Sequence, residues 1–319
     1  MSLAEWIRVG RIHTAALTMP VTLLGYVLAG GKDWVAGTAW ALFGLWWHYV
    51  GFLQNNLFDL RYDLMDPEKR HFPLVKGTVP VRWAWVVDNV GLLVLLVVGV
   101  VLGGNPVSWS FLVLGVASGT VYNAFSKRTL LKPIPISLCF ASLPLIPYTS
   151  LRPLDPVGML LFASVFTTIL YQIGVSGELK DVRRSEANIL RSLGPASIPY
   201  MVVLKVVNLL TIYILGLHVS PPGDVYFAVS QVMLTTFSLM AIFLLMKQIE
   251  DLLDSQKETW DRDRALLRMS AMEIVTYYAL VSAVTKAIGY WLPLWFVLPL
   301  LWFFVFNRFI FGTVTYPKV

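Results

Sequence analysis

Ten apolar stretches follow one another along the chain, near residues 12–31, 36–57, 83–103, 107–124, 134–151, 156–176, 197–217, 223–247, 270–289 and 291–312. About 20 apolar residues in an α-helix cross a bilayer, so each stretch predicts a membrane-spanning helix. The last two read as separate spans broken around Gly289 and Pro293, because Asn307, Arg308 and Lys318 then return to the side of the other basic segments. One span followed by an interfacial hairpin is the alternative.

The polar segments between the stretches alternate in kind. Residues 30–34, 103–107, 152–156 and 218–224 are short and nearly uncharged, whereas 58–82, 125–133, 177–196 and 248–269 are longer and basic. Placing the N-terminus, with Arg8 and Arg11, on the side of the basic segments and the C-terminal tail leaves few cations elsewhere. Of the 25 Lys and Arg residues, only Lys32, Arg152, Lys205 and Lys286 are left out. Cytoplasmic loops carry the Lys and Arg excess in membrane proteins, so the N-terminus and the basic loops are predicted to be cytoplasmic, in an integral cell-membrane protein. Segment 248–269 reads as an amphipathic helix on that side, as a cap or an interhelix linker.

Composition narrows the picture further. Hydrophobic residues make up 57% of the 319 and charged ones 14%, with a mean hydropathy of +0.68, against about 25% charged in soluble domains. Disordered, collagen-like and disulfide-scaffold proteins are excluded, and the single Cys139 cannot form an internal disulfide. The net charge of +6 would suggest nucleic acid in a soluble protein. In a membrane protein it follows from basic loops facing anionic lipid, and no nucleic-acid partner is expected. Many tryptophans, among them Trp34, Trp83, Trp85, Trp109 and Trp295, sit near span ends, as interfacial anchors do.

The carboxylates are unevenly spread. After the second span come Asn55, Asp59 and Asp63 at i, i+4, i+8, followed by Asp66, Glu68, Lys69, Arg70 and His71. A continuing helix puts the first three on one face. Oxygen-only ligands so clustered suit a hard cation, and magnesium when the metal keeps waters and bridges a phosphate. After the sixth span, Glu178, Asp181 and Ser185 repeat the theme at i, i+3, i+7, predicting a second acidic helix face. Four spans separate the two segments, so both emerge on one membrane side. The chain thus reads as a single transmembrane domain over 1–319, with pseudo-repeat halves near 8–124 and 134–247 and C-terminal spans in 270–312. Two such clusters facing each other would hold two magnesium ions and a diphosphate between them. A solvated charged loop is the plain alternative for either cluster alone.

At these residues the sequence resembles the UbiA superfamily of intramembrane prenyltransferases. The family's Asn-x3-Asp-x3-Asp pattern after the second helix is matched by Asn55, Asp59 and Asp63, and its Asp-x2-Asp-x3-Asp pattern after the sixth in part by Glu178, Asp181 and Ser185. A Pro-Leu-x2-Gly turn is present as Pro73, Leu74 and Gly77. The Tyr, basic and Pro segment after the fourth helix is present as Tyr122, Lys127, Arg128, Lys132 and Pro133. The resemblance covers residues 8–290. It implies an all-α bundle of nine helices around a central cavity under a cytoplasmic cap, so the expected fold is a nine- to ten-helix transmembrane bundle.

The resemblance also implies an activity and its residues. A polyprenyl diphosphate would bind through two magnesium ions and ionise to an allylic cation that an acceptor attacks. Metal and basic side chains would stabilise the departing charge. Asp59, Asp63 and Asp181 would be the core metal ligands and catalytic residues, with Asn55 and Glu178 in support. Arg70, Lys127, Arg128 and Lys180 would contact the diphosphate, and Tyr122, Lys76 and Ser185 are further candidates. Each basic residue has a second reading as a topology determinant. Glu178 and Ser185 depart from the family pattern, and Ser185 removes a charge, which predicts a weaker second metal. The acceptor is open between an aromatic or quinone precursor and a glycerol-phosphate ether lipid. Rival functions are terpene cyclisation on the same scaffold and non-catalytic lipid or ion transport.

Asp88, Lys205 and Glu273 fall inside predicted spans, where ionisable groups are costly and usually paired or functional. Asp88 and Glu273 lie near the cytoplasmic ends and are explained by a short reach to the interface. Lys205 is deeper and reads as a cavity or pairing residue.

Overall fold

The computed structural model describes residues 2–126, 128–183, 187–255, 257, 260–289 and 292–311. Every regular element among them is helical. In chain order these are α1 (Leu3–Val9), α2 (Thr18–Leu28), α3 (Trp34–Asp63), α4 (Pro73–Lys76), α5 (Val81–Gly103), α6 (Pro106–Phe125), α7 (Pro133–Leu151) and α8 (Pro156–Tyr171). There follow α9 (Glu178–Lys180), α10 (Ile189–Leu193), α11 (Ser197–Val219), α12 (Phe227–Asp254), α13 (Arg262–Ala283), α14 (Thr285–Ile288) and α15 (Leu292–Phe311). Proline opens α4, α6, α7 and α8, where its missing N–H costs nothing and its fixed φ suits the first turn. Asp33 and Asp155 cap α3 and α8 by accepting from Val35 N at 2.9 Å and Gly158 N at 3.0 Å, and each satisfies an orphan helix donor.

The chain is an integral membrane protein of all-α class. Among the described residues, five stretches, Val81–Gly103, Pro133–Leu151, Pro156–Lys180, Ile189–Val219 and Phe227–Asp254, are long and apolar enough to cross a bilayer. On α5 the large apolar side chains point outward, with Val90, Leu93, Val97 and Val101 exposed, while Ala84, Asp88, Gly91, Leu95 and Gly99 are buried. That inversion of the soluble pattern is what a lipid-facing helix requires. The first predicted span is shorter than the pattern suggests. A 3₁₀ turn occupies Ile12–Thr14 and α2 begins only at Thr18, giving 11 residues, or about 16 Å at 1.5 Å per residue. Segment 248–269 is not one separate helix. Its first part extends α12 to Asp254 and its last part begins α13 at Arg262, where Asp261 caps the new helix by accepting from Asp263 N and Arg264 N.

The helices sort into two compact units. The first comprises residues 1–124, 142–153 and 293–319. Its core around Val50, Leu53, Leu57, Leu74 and Val79 joins α3 to α4 and α5. Gly25 on α2 lies against the Pro144 carbonyl of α7, where a Cβ would fall 1.8 Å from the oxygen, so only glycine permits that approach. The second unit comprises residues 125–141 and 154–292. In it α8 packs on α11 and α12 on α13, around Tyr171, Val175, Leu179, Met201, Leu245 and Met272. Buried Asp251 binds Arg264 at 3.0 Å and Arg268 at 2.8 Å, which fixes the end of α12 to the start of α13.

Candidate active site: two acidic segments

The first segment is the end of α3. The helix runs without a break from Trp34 to Asp63, so Asn55, Asp59 and Asp63 share a face as their spacing predicts. Asp59 and Asp63 are each only 7% exposed, and carboxylates are rarely buried so far. Asn55 Nδ2 donates to Asp59 Oδ2 at 3.3 Å, which holds the carboxylate and turns the Asn55 amide oxygen away from it. Lys69 Nζ stands 3.9 Å from Asp63 Oδ1. The Pro-Leu-x2-Gly turn forms the single turn α4, ended by Gly77 at φ +77°, a left-handed position that favours glycine. Lys76 and Arg70 are exposed beside it in the chain, and Tyr122 is half-buried near the end of α6.

Arg11 belongs to this segment, although in the sequence it is only one basic residue before an apolar stretch. It adopts φ +47°, a strained conformation for an arginine. Its Nη2 donates to Asn56 Oδ1 at 2.9 Å, and its guanidinium lies over the rings of Phe52 and Phe72. Asn56 in turn donates to the Val9 carbonyl. The cation is thus locked next to Asn55, and no local motif announces it.

The second segment is built differently. After Tyr171 the backbone widens into a π-helical turn, Gln172–Gly177, before the short α9. A Cβ at Gly174 would fall 2.8 Å from the Tyr200 hydroxyl and 3.3 Å from the Pro133 ring, so glycine eases their approach. The helix then ends at Lys180, and Asp181 takes φ −111° in the turn beyond it. The predicted face is therefore cut to a single turn, from Glu178 to Asp181, whose N–H bonds the Glu178 carbonyl at 3.2 Å. The spacing rule assumed a continuing α-helix, and the helix stops after three residues. Ser185, Arg184 and Lys127 lie outside the described residues.

Glu178 and Asp181 have different surroundings. The buried Glu178 carboxylate pairs with Lys132 Nζ at 2.5 Å and accepts from Ile189 N at 2.9 Å. Its backbone carbonyl accepts from Asn188 Nδ2 at 2.7 Å. Lys132, from the basic segment after α6, also donates to the Ala187 carbonyl at 3.1 Å. Glu178 is thereby the knot that closes the loop between α9 and α10. Asp181 is more open and is bracketed by cations: Lys180 hydrogen bonds to it and Arg262 Nη2 stands 3.3 Å from Oδ1. Arg183 donates to the Ser255 carbonyl at 2.6 Å and lies over the Trp260 ring at 5.1 Å, which ties this loop to the turn between α12 and α13. Arg262 is 81 residues from Asp181, a separation that sequence reading cannot bridge. Arg128 is exposed in the turn after α6.

Among the described residues, no three His, Cys, Asp or Glu side chains form a closed metal cage. The donors are all hard oxygens, two of them carboxylates on one buried helix face. That set fits magnesium, which binds through one or two carboxylates and completes its shell with water and phosphate oxygens.

Comparison with known proteins identifies the family and the fold. The sequence model of the UbiA prenyltransferase family matches residues 18–270. Several solved structures share the fold. A digeranylgeranylglyceryl phosphate synthase of membranes aligns at 15% identity over 90% of this chain and 98% of its own, with a TM-score of 0.64. A UbiA homologue from Aeropyrum pernix K1 aligns at 15% over 86% and 98%, TM-score 0.65. One from Archaeoglobus fulgidus, bound to DMAPP and Mg2+, aligns at 14% over 86% and 99%, TM-score 0.61. No curated protein sequence matches significantly.

Proposed function

The chain belongs to the UbiA prenyltransferase family, and from that premise we propose that it moves a polyprenyl group from an allylic prenyl diphosphate to a lipophilic acceptor in the membrane. The observation that carries this reading is the pair Asp59 and Asp63, buried on one uninterrupted helix face with Asn55. On this reading Asn55, Asp59 and Asp63 would hold one magnesium ion and Asp181 a second, with Glu178, paired to Lys132, in support. The homologue from Archaeoglobus fulgidus bound to DMAPP and Mg2+ supports both the metal and the substrate class. Bound there, magnesium supplies Lewis-acid neutralisation of the negative charge that develops on the departing diphosphate.

The protein's own part is to bind, orient and exclude water. Arg70, Lys76, Arg128 and Lys180, with Lys127, receive the diphosphate oxygens, and Tyr122 and Ser185 complete the candidate set. The bond between the allylic carbon and its oxygen breaks, and the electron pair leaves with the diphosphate. The acceptor's nucleophilic atom then bonds to the allylic carbon and loses its proton to solvent. Holding the leaving group by fixed charges lowers the barrier, because those charges are oriented before the reaction begins. An apolar bundle serves the prenyl chain, which seeks the same environment as lipid. The orientation proposed places the N-terminus and both acidic segments in the cytoplasm, and the two halves, 8–124 and 134–247, descend from a duplication with one acidic segment each.

The test is product analysis with the purified protein in nanodiscs. Geranylgeranyl diphosphate is supplied with magnesium and either an aromatic acid or a glycerol phosphate ether lipid. A prenylated adduct with one acceptor supports transfer and identifies its class. A cyclised hydrocarbon formed without acceptor assigns the scaffold to terpene cyclisation. No product, together with no magnesium-dependent binding of the diphosphate, contradicts the enzymatic reading.

A further inference from the structure

Lys205 is a lysine 1% exposed in the middle of α11, in the membrane part of the second unit. Among the described residues, no Asp or Glu pairs with it. Its Nζ donates to Asn208 Oδ1 at 3.2 Å and to Thr276 Oγ1 at 3.1 Å, and it lies 3.9 Å from the centre of the Tyr171 ring. Three N–H bonds thus meet two oxygens and one π face, the complement of an ammonium.

The directions of the neighbouring hydrogen bonds agree with that assignment. Thr276 has given its own proton to the Met272 carbonyl at 2.7 Å, so it can only accept from Lys205. Asn208 spends its amide hydrogens on Thr168 Oγ1 at 2.8 Å and Thr167 Oγ1 at 3.3 Å, so its oxygen is the atom facing the lysine. Thr168 and Thr167 pass their protons on to the carbonyls of Ser164 and Ala163. A buried cation without a counter-ion is among the most expensive groups a membrane protein can hold. Its retention here calls for a role.

The network leads away from Lys205 in one direction. Tyr171, whose ring the ammonium holds, is the last residue before the π-helical turn. Its hydroxyl donates to Gln248 Oε1 at 2.7 Å, and Gln248 Nε2 donates to Ser176 Oγ at 2.9 Å, inside that turn. Tyr171, Gln248 and Ser176 are all buried. The chain therefore links α13, α11, α8 and α12 to the turn from which Glu178 and Asp181 follow. π-Helical turns strain the backbone and persist where the surroundings enforce them.

We propose that Lys205 is a positioning residue whose ammonium, acting through Tyr171, Gln248 and Ser176, holds the π-helical turn that presents Glu178 and Asp181. Its importance for catalysis rests on the reading of Asp181 as a metal ligand, whereas its effect on the turn does not.

The test compares wild type with Lys205→Met, which keeps the length and removes the charge, and with Gln248→Leu, which cuts the chain at a separate point. Hydrogen–deuterium exchange is followed over residues 172–183, with 55–66 and the middle of α11 as controls. Folded Lys205→Met and Gln248→Leu are each expected to exchange about tenfold faster over 172–183, with the controls unchanged, because a local opening has lost a specific restraint. If Lys205→Met fails to fold, Gln248→Leu decides. Wild-type exchange over 172–183 in either folded variant overturns the proposal, as does a uniform increase across the whole second unit. Manganese titration of the same samples separates the two readings. Faster exchange with weaker manganese binding supports both, and faster exchange with unchanged binding keeps the positioning role while removing Asp181 as a ligand.

Discussion

The first acidic segment and the second use similar residues in opposite ways. Asn55, Asp59 and Asp63 project from one rigid helix that continues unbroken to the last of them. Glu178 opens and Asp181 closes a helix of three residues that follows a widened turn, and their partners differ. One carboxylate is sealed against Lys132 and the Ile189 amide, and the other is bracketed by Lys180 and Arg262. A helix face fixes its ligands in advance. A turn held by side-chain contacts depends on each of those contacts. The first segment is therefore preorganised by its helix, and the second is adjustable.

The largest effect expected from this comparison is at the first segment. Asp59→Ala should lower magnesium-dependent turnover by about 10³-fold, the scale seen when a fixed electrostatic contact to a leaving group is removed. Steady-state product formation measures it. Asp181→Asn should cost less, about tenfold in turnover, and should raise the magnesium concentration at half-maximal rate. Equal losses at Asp59 and Asp181 would erase the distinction between the two segments.

Lys132→Met tests the seal around Glu178. Removing one partner of a buried pair strands the other, and with Lys132 partly solvated the expected loss is about 2 kcal/mol. Thermal unfolding in detergent measures it. Lys132→Met combined with Glu178→Leu should recover part of that loss, since no buried charge is then left unpaired.

The smallest effect lies away from the acidic segments. Asp224 is paired with Lys286 at 2.6 Å. The Lys286 hydrogen bond, aided by the Tyr226 amide, holds its carboxyl below the ordinary carboxylate range. A depressed folded-state value stabilises the protein above the unfolded carboxyl's pKa near 4, and that contribution is lost as pH falls through the folded value. Asp224→Asn should therefore flatten the fall in thermal stability below about pH 4, and leave turnover unchanged. A pH series of melting curves for the two proteins checks it.

The sequence made the first segment legible and the second only partly so, for a physical reason. Residue spacing carries spatial meaning only while the backbone keeps its period. α3 keeps it through Asp63, so Asn55, Asp59 and Asp63 could be placed on one face without coordinates. The π-helical turn breaks the period just before Glu178, and the glycines at 174 and 177 were the one local sign of it. The helical class and the membrane setting were readable from apolar length alone. The late start of α2 was not, because a 3₁₀ turn of apolar residues has the composition of a span. Arg11, Lys132 and Arg262 act through partners 45, 46 and 81 residues away, and no local pattern encodes such distances. Lys205 was visible as an anomaly, a charge inside an apolar stretch, but its three neutral partners come from packing.

Asp59 and Asp63, buried on one helix face with half-buried Asn55, are proposed to hold the metal that drives departure of the diphosphate. The most direct test is the release of diphosphate from geranylgeranyl diphosphate by the purified protein, with an acceptor present. It is measured with and without magnesium, for wild type and for Asp59→Ala. Release that requires both magnesium and Asp59 is the predicted result. Release that persists in Asp59→Ala, or that is indifferent to magnesium, would contradict the account.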